Sequence, residues 1–389
     1  MALSHSPKIV TDGLAFMYDT DDGKSYKGEP TTNLITNSGT SNTGWVGYGW
    51  TGSQAISNDY PNTYEFTATN GWHNRTFDTG VTSGGTIYVT FQYKLKQQQT
   101  TQNQIFVLNG TSLGSYTNWL GSGSMSFEWQ TFSGSFTANA NSSKIAIGPR
   151  GQDSSGLTDI VYIRNLQVEQ KPHATPFVNG TRSATQGLID RTGSSTIDIS
   201  DASFDSNAQM AFDGTDDYAL TTFTPSADDN KTISIWVNFD TLSSSYRYVV
   251  GLDYSNATDG FIPLSVASYN GNWVLRMRQQ LGTLGTNLVV YSDVIVNTGE
   301  WINLVISSNG SAFSFYKNGV KGSAVSGTNN GRWFSILNEP IMIGASDWLT
   351  NQLYSITDGK IANVSIYNKQ LTDAEVLQNF NATKSRFGL

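Results

Sequence analysis

The chain has 389 residues, of which 14% are charged and 38% apolar, with a formal net charge of −8 and no cysteine. Because phosphate neutralisation needs clustered Lys and Arg, this acidic balance argues against nucleic acid and against membrane insertion or an anionic membrane as partners. The lack of cysteine excludes disulfide frameworks, thiolate zinc sites and cysteine nucleophiles. A prior of about 150 residues per domain favours two compact units.

Alternating strand patterns occur in both halves of the chain. Thr86 to Leu95 alternates so that every second residue is apolar, and Thr232 to Phe239 does the same. Such alternation is typical of half-buried antiparallel strands. Turns rich in Gly, Ser and Asn separate these segments, and helical periodicity is almost absent. The sequence therefore predicts an all-β fold of two tandem β-sandwich (jelly-roll) domains with a short C-terminal helix.

Changes in composition predict where these domains begin and end. Residues 1–29 finish in a polar, Gly-rich stretch and are expected to form a separate docking arm. Residues 30–172 are expected to form the first sandwich, residues 173–196 a connector rich in Pro, Gly, Thr and Ser, and residues 197–389 the second sandwich. The sequence shows neither a signal peptide pattern nor an apolar run long enough to span a membrane.

Two local signals are specific for one structure each. Asn318-Gly319 stands between two short strand patterns and predicts a tight β-hairpin, since both residues tolerate positive φ. Thr372 and Glu375 have the spacing of a capping box, which predicts the start of a helix.

Five motifs in order give the second half a family resemblance. They are MAFDGTDDY at Met210, TISIWVNF at Thr232, EWINLVISSNGSAFSFYKNGV at Glu300, IMIGAS at Ile341 and GKIANVSIYNKQLTDAEVLQNF at Gly359. This order is similar to the laminin G-like, concanavalin A-like jelly-roll family. The resemblance implies a fold and leaves the ligand open, because the family contains lectins, adhesion modules, enzymes and structural parts.

The first half resembles carbohydrate-binding-module sandwiches through TIYVTFQYKL, WQTFSGSFTA and VYIRNLQVEQ. The flanking sequences GLAFMYDTDDGKSYKGEPTTNL and KPHATPFVNGTRS are similar to the framing of laminin G-like domains in bacteriophage tail and fibre proteins. This second resemblance implies a phage virion protein that is made in the host cytoplasm and displayed on the particle exterior.

A glycoside hydrolase would need two carboxylates close together, which concanavalin A-like glucanases supply through an E-x-D-x-x-E motif or a close variant. The sequence contains no such motif, and its seven glutamates are scattered. We therefore expect that the protein is not an enzyme, with glycan hydrolysis as an alternative.

Asp213, Asp216 and Asp217 form an acidic cluster at a predicted turn. Carboxylates are hard oxygen ligands, and the family resemblance implies that calcium is one candidate metal. Acidic residues in an exposed turn also occur without a metal, so both readings stay open. No cofactor is expected to be required.

Aromatic residues in predicted loops are the best binding signal in the sequence. Sugars stack their C–H faces on Trp and Tyr rings, while Asn, Asp and Gln satisfy their hydroxyls. Contacts between subunits would place aromatic residues in such loops equally well. The candidate glycan-binding residues are Trp45, Tyr48, Trp50, Trp72, Trp333, Trp348 and Tyr354.

These observations predict a non-enzymatic virion surface protein, such as a tail fibre, tail tip or head fibre subunit, that attaches to host-surface carbohydrate. Residues 1–29 would dock to other virion proteins. Several copies are expected to assemble, with a trimer as one form, because multivalency strengthens weak sites. A purely structural decoration or cement component is the alternative from a different class.

Overall fold

The computed structural model describes most of the chain as two compact units. The described residues are 8–35, 37–43, 46–47, 52–68, 75–98, 104–112, 115–138, 144–150, 158–205, 207, 209–226, 229–243, 246–252, 259–281, 286–327, 329–331, 339–347, 353–354 and 356–389. One unit, the inserted domain, is Pro30–Ser183. The other, the discontinuous domain, combines Met1–Glu29 with Ala184–Leu389.

The inserted domain contains two five-stranded antiparallel sheets. The first has the order β10-β7-β12-β5-β4, and the second has the order β3-β6-β11-β8-β9. A short pair, β2 with β13, joins Thr31–Thr32 to Thr181–Arg182. The strands are β2 (Thr31–Thr32), β3 (Val46–Gly47), β4 (Gly52–Ile56), β5 (Thr63–Ala68), β6 (Arg75–Asp78), β7 (Thr86–Gln97), β8 (Gln104–Ser112), β9 (Ser115–Ser124), β10 (Gln130–Thr137), β11 (Lys144–Arg150), β12 (Asp159–Glu169) and β13 (Thr181–Arg182).

The discontinuous domain contains two eight-stranded sheets within the described residues. One has the order β15-β16-β30-β18-β23-β24-β25, with β1 also on β30, and the other has the order β14-β17-β27-β19-β20-β21-β22-β26. The strands of the first are β1 (Leu14–Asp19), β15 (Ser203–Phe204), β16 (Met210–Asp213), β18 (Asn230–Phe239), β23 (Ile302–Asn309), β24 (Phe313–Lys317), β25 (Val320–Gly322) and β30 (Asp358–Tyr367). Those of the second are β14 (Ile197–Asp198), β17 (Ala219–Thr221), β19 (Tyr246–Leu252), β20 (Asp259–Tyr269), β21 (Asn272–Leu281), β22 (Thr286–Ile295), β26 (Ala324–Ser326) and β27 (Ile341–Ile343).

The remaining elements of this domain are small. The pair β28 (Ser346–Asp347) and β29 (Leu353–Tyr354) forms a two-stranded sheet. The helices are α1 (Ala184–Gly187) and α2 (Asp373–Thr383), and a 3-10 turn, Lys384–Phe387, follows α2. No helix in the described part of the chain is long and apolar enough to span a membrane.

The predicted alternation is confirmed in both domains. In the inserted domain, Ile87, Val89, Phe91, Tyr93 and Leu95 of β7 all enter one buried core. In the discontinuous domain, the apolar positions of β18 enter a core that draws on both large sheets. Each domain is therefore a sandwich whose core lies between its sheets, as predicted.

The two local predictions are also confirmed. Asn318 and Gly319 have φ values of 53° and 77° and connect β24 to β25. The Thr372 side chain accepts a hydrogen bond from the backbone N–H of Glu375, whose side chain binds the backbone N–H of Thr372, so α2 begins with a capping box.

The described part of residues 1–29 corrects the prediction of a separate arm. Strand β1 pairs with β30 from Leu14 to Asp19, and Phe16 and Tyr18 are fully buried in the core of the discontinuous domain. The sequence of a short apolar strand does not identify the strand with which it pairs. Here that partner lies more than 300 residues away in sequence. The boundary after Glu29 agrees with the prediction, but residues 8–29 complete a sandwich.

The predicted connector, residues 173–196, is corrected in the same way. Its first part belongs to the inserted domain, where Thr181–Arg182 pairs with Thr31–Thr32. Its last part belongs to the discontinuous domain, in which Leu188 is fully buried. The sandwiches are thus nested in sequence instead of tandem.

Candidate functional site

Most of the aromatic residues predicted to bind glycans lie outside the described residues. Trp45, Tyr48, Trp50, Trp72, Trp333 and Trp348 are among them. Tyr354 pairs with Ser346 through the backbone of β29, and its side chain is outside the described set. Glycan contacts at these seven positions stay predictions.

The acidic cluster forms as predicted. Oxygens of Asp213, Asp216 and Asp217 lie within 4.8 Å of one another. The Asp213 carboxylate accepts hydrogen bonds from the backbone N–H of Thr215 at 2.7 Å and of Asp216 at 3.3 Å, and Asp217 accepts one from the N–H of Asp213 at 2.9 Å. Partial burial raises the pKa of Asp217, and repulsion from Asp213 and Asp216 acts in the same direction.

The donor chemistry of this turn fits calcium. Asp213, Asp216 and Asp217 would supply three oxygen ligands of the roughly six to eight that calcium takes. The same carboxylates already organise the turn through backbone hydrogen bonds. Calcium therefore stays a prediction at this position.

A second group of side chains lies on the outer face of the first sheet of the inserted domain. Core residues of β7 and β12 alternate with outward ones, so Tyr162 of β12 lies opposite Lys94 of β7 and Arg164 lies opposite Gln92. Trp129 immediately precedes β10, which pairs with β7. We call Tyr60, Trp129, Tyr162, Lys94 and Arg164 the aromatic cluster.

The three rings of the aromatic cluster contact one another edge to face or at a tilt. The Tyr60 centroid lies 5.3 Å from those of both Trp129 and Tyr162, and the Trp129 and Tyr162 centroids are 6.5 Å apart. Two cations lie over the rings. Lys94 Nζ is 4.6 Å from the Tyr60 centroid and 5.0 Å from that of Trp129, and Arg164 Cζ is 3.8 Å from the Trp129 centroid.

Tight turns hold the two loop residues of the cluster in place. Before Trp129, the Ser126 side chain binds the N–H and C=O of Glu128, and the Gln130 side chain accepts the N–H of Ser126. Tyr60 lies in the hairpin between β4 and β5, which Ser57 N closes onto Thr63 O at 2.9 Å. These hydrogen bonds hold the backbone beside each ring, and both rings are half-buried.

Some of the charged side chains at this face form ion pairs with described carboxylates, and two cationic side chains do not. Lys96 binds Asp59 at 3.1 Å and Glu65 at 3.0 Å, and Tyr162 also donates to Asp59. Lys94 donates to the Tyr60 hydroxyl and Arg164 to Gln92, each at 2.8 Å. Neither Lys94 nor Arg164 forms an ion pair with a described carboxylate.

The same face bears on hydrolysis, because Asp59 and Glu65 are brought together by Lys96. A glycosidase needs one carboxyl that is kept protonated by a raised pKa. The pKa of Asp59 is instead lowered by its hydrogen bond from Tyr162 and by Lys96. Asp59 is therefore unsuited to the role of the general acid.

The aromatic cluster can hold a flat, polar ligand. Half-buried Trp and Tyr rings stack on apolar ring faces, and the cationic and amide side chains beside them donate hydrogen bonds to hydroxyls. The sequence-based prediction did not include this group, because its candidates were aromatic residues in predicted loops. The signal was present in the polar half of the alternating TIYVTFQYKL strand, whose outward residues include Gln92 and Lys94.

Several solved structures are similar to parts of the chain at low sequence identity. Domain 4 of AbnA, a GH43 extracellular arabinanase from Geobacillus stearothermophilus solved with arabinotriose, is 19% identical, covers 51% of this chain and 92% of that chain, and has a TM-score of 0.38. The SAP-like pentraxin of Limulus polyphemus is 16% identical, with coverages of 46% and 82% and a TM-score of 0.34. The Ruminococcus gnavus sialidase CBM40 bound to α2,3-sialyllactose is 13% identical, with coverages of 38% and 80% and a TM-score of 0.33.

At these identities the likeness carries no conclusion about ligands. No curated protein sequence matches the chain. A family model does match the second half, in the segment where five motifs gave the resemblance. Residues 213–377 match the laminin G type model of the concanavalin A-like lectin/glucanases superfamily, which confirms the predicted jelly roll for that segment.

Proposed function

We propose that this protein is a non-enzymatic glycan-binding protein and that the aromatic cluster of the inserted domain contacts the sugar. The observation that carries the proposal is Trp129, a half-buried ring at the sheet edge with Arg164 and Lys94 over its ring system. Such a ring offers a stacking surface, and the nearby polar groups orient the ligand. The loop aromatics predicted from the sequence would extend this contact.

The biological setting that we propose is the exterior of a phage particle, on a tail fibre, tail tip or head fibre. The support is the resemblance of Gly13 to Leu34 and Lys171 to Ser183 to phage fibre framing. Other virion proteins and host-surface carbohydrate would be the partners. Docking through an extended arm would not involve residues 8–29, because these belong to the discontinuous domain.

Several copies per particle would raise the strength of attachment. A single stacking contact is worth about 1 kcal/mol beyond area burial, so one site is weak. Linked copies convert later binding events into intramolecular ones and multiply the apparent affinity. We therefore propose a homo-oligomer, with a trimer as one arrangement.

The test is a glycan array probed with multivalent wild-type protein and with the variants Trp129→Ala and Phe127→Ala. Phe127 is the matched control, because it is an exposed aromatic residue two positions away in the same loop. We expect Trp129→Ala to weaken binding at least about tenfold and Phe127→Ala to leave it unchanged. Equal binding by wild type and Trp129→Ala would remove the aromatic cluster from the site, and an array without any hit would favour a structural role.

A further inference from the structure

One row of side chains crosses four strands of the second sheet of the discontinuous domain. The register aligns Tyr248 of β19 with Ser265 of β20, Ser265 with Arg276 of β21, and Arg276 with Tyr291 of β22. Neighbouring positions on these strands, among them Val266, Leu275, Met277 and Val290, enter the core. The row therefore lies on the face of the sheet that is turned away from the core.

Arg276 is the unusual member of this row. Its residue surface is only 3% exposed, although it carries a charge. Nε donates to Ser265 Oγ at 3.1 Å, while Nη2 is buried and has no hydrogen-bond partner. Arg276 forms no ion pair with any carboxylate among the side chains that the structure describes. A buried charge of this kind is costly unless it is paired.

Aromatic rings surround the guanidinium. Tyr246 and Tyr248 are stacked with centroids 5.3 Å apart, and Arg276 Cζ lies 4.9 Å and 5.9 Å from their ring centres. On the other side, Tyr269 and Tyr291 are stacked at 4.6 Å. Tyr246, Tyr269 and Tyr291 are half-exposed, so the rings reach from the buried charge to the surface.

The electrostatics of the row favour an anion. Burial lowers the pKa of Arg276, and repulsion from the nearby Arg278 acts in the same direction. Burial also raises the pKa of Tyr248 to about 12, so its hydroxyl stays a neutral donor at physiological pH. The Arg276 guanidinium thus lies beside the neutral phenol of Tyr248, and no described carboxylate is among the contacts of Arg276.

We propose that this face is an oxyanion-binding site in which Arg276 binds the charged group of an acidic sugar and the flanking tyrosines contact the sugar ring. The planar guanidinium donates in the geometry that carboxylate, sulfate and phosphate oxygens accept. Nη2 is the donor left for that group after Nε has bound Ser265. The proposal rests on the proposed function only in taking a sugar as the carrier of the anion.

The experiment measures the thermal unfolding of the full chain with four hexoses that share one ring. They are glucose, glucuronate, glucose 6-sulfate and glucose 6-phosphate, and the last three separate the possible sources of the oxyanion. We expect at least one charged hexose, at about ten times its Kd, to raise the Tm of the wild type by about 3 °C. Glucose at the same concentration should give no such rise.

Arg276→Met and Arg276→Lys test the residue. The matched control is Arg191→Gln, at an exposed arginine of the same domain that pairs with Asp22 and lies outside both proposed sites. Arg276→Met should keep or raise the Tm without ligand, because an apolar chain replaces an unpaired buried charge, and should lose the response to charged hexoses. Arg276→Lys should stay folded and bind at least about fivefold more weakly, since an ammonium lacks the planar fork. Arg191→Gln should respond to the charged hexoses as the wild type does.

The results separate this proposal from the proposed function. An equal response of Arg276→Met and wild type, or no response to any charged hexose, would overturn the oxyanion site. Glycan binding that depends on Trp129 would still stand in that case. If charged hexoses act through Arg276 while Trp129→Ala binds the array normally, the oxyanion site stands and the aromatic cluster does not.

Discussion

Arg386 donates two hydrogen bonds to the buried carboxylate of Asp19, from Nη1 to Oδ2 at 2.6 Å and from Nη2 to Oδ1 at 2.5 Å. Asp19 lies in β1 and Arg386 in the 3-10 turn after α2, so the bond joins segments that are 367 residues apart. A bidentate Arg–carboxylate pair is directional and strong. The pair fixes β1 to the C-terminal turn, whereas the sequence predicted that residues 1–29 form a separate arm.

Arg386→Met should therefore destabilise the discontinuous domain by about 2–3 kcal/mol, because it leaves Asp19 buried without its charged partner. Urea unfolding followed by tryptophan fluorescence measures the loss. Lys384→Met in the same turn is the control and should change stability little, since Lys384 forms no ion pair in the described part of the chain. Equal losses for the two variants would contradict the role of the Asp19 bond.

The hairpin at Gly319 gives a second prediction. Gly319 has φ of 77°, and an added Cβ would lie 3.0 Å from Leu377 Cδ1 and 3.3 Å from Phe380 Cβ. Gly271 has φ of 81°, and an added Cβ there would meet no atom within 4 Å. Gly271→Ala should cost only the backbone term of about 1 kcal/mol, and Gly319→Ala about 1 kcal/mol more because α2 must move.

Denaturant midpoints of the two alanine variants test that difference, because both glycines follow Asn in a hairpin of the same domain. A Gly319→Ala loss no larger than that of Gly271→Ala would show that α2 does not press on the turn.

Two aspartates should respond to pH in opposite directions. Burial tends to raise the pKa of Asp205, but the Lys360 ion pair at 2.8 Å and backbone hydrogen bonds outweigh it and lower the pKa below 3.8. Its contribution to stability is therefore present above the unfolded pKa and is lost as the pH falls through the folded one. Asp205→Asn should lower stability at pH 6 and flatten the loss between pH 5 and pH 3.

Asp217 is the counterpart, since its folded pKa is raised by burial and by its acidic neighbours. Its contribution to stability is therefore fully present below the pKa of Asp217 in the unfolded chain and is lost as the pH rises through the pKa in the folded protein. Asp217→Asn should raise stability at pH 6, because it removes that charge while an amide oxygen can still accept the N–H of Asp213. Urea midpoints at several pH values measure both variants, and changes of the same sign would contradict the assignment.

Chelation tests the acidic turn directly. The backbone hydrogen bonds to Asp213 and Asp217 hold the turn without a metal, so EGTA is expected to leave the Tm of the wild type unchanged. A calcium-dependent rise in Tm that Asp213→Asn abolishes would instead show a calcium site at these carboxylates.

Local sequence patterns correctly predicted those features that depend on residues close together in the sequence. The alternation of β7 identified Ile87 and its partners as core residues, and two spaced residues were enough to place the start of α2. The aromatic cluster depends on strand order instead. Tyr60 and Trp129 meet only because β10, β7, β12 and β5 are neighbours in one sheet, and periodicity does not reveal which strands pair.

The sequence did not predict the nesting of the domains for the same reason. The six residues of β1 form an ordinary strand, and only the pairing of Phe16 with Ile366 shows where that strand belongs. The surroundings of Arg276 could not be predicted from the sequence for a related reason, since its row takes one residue from each of four strands. Register across a sheet is a long-range property that a single sequence does not display.

The nesting also affects when β1 can pair as the chain is synthesised. Strand β1 is synthesised early, yet its partner β30 follows after the whole inserted domain, so β1 must wait while the chain grows. When the inserted domain folds first, β2 and β13 pair and bring its two ends together. Folding of the inserted domain thus takes roughly 150 of the roughly 340 residues between β1 and β30 out of the loop, which lowers its closure cost by about 0.5 kcal/mol, since each doubling of length costs about 0.6 kcal/mol. The inserted domain therefore shortens the loop only in part, and the pairing of β1 with β30 must still be closed across most of the second half of the chain.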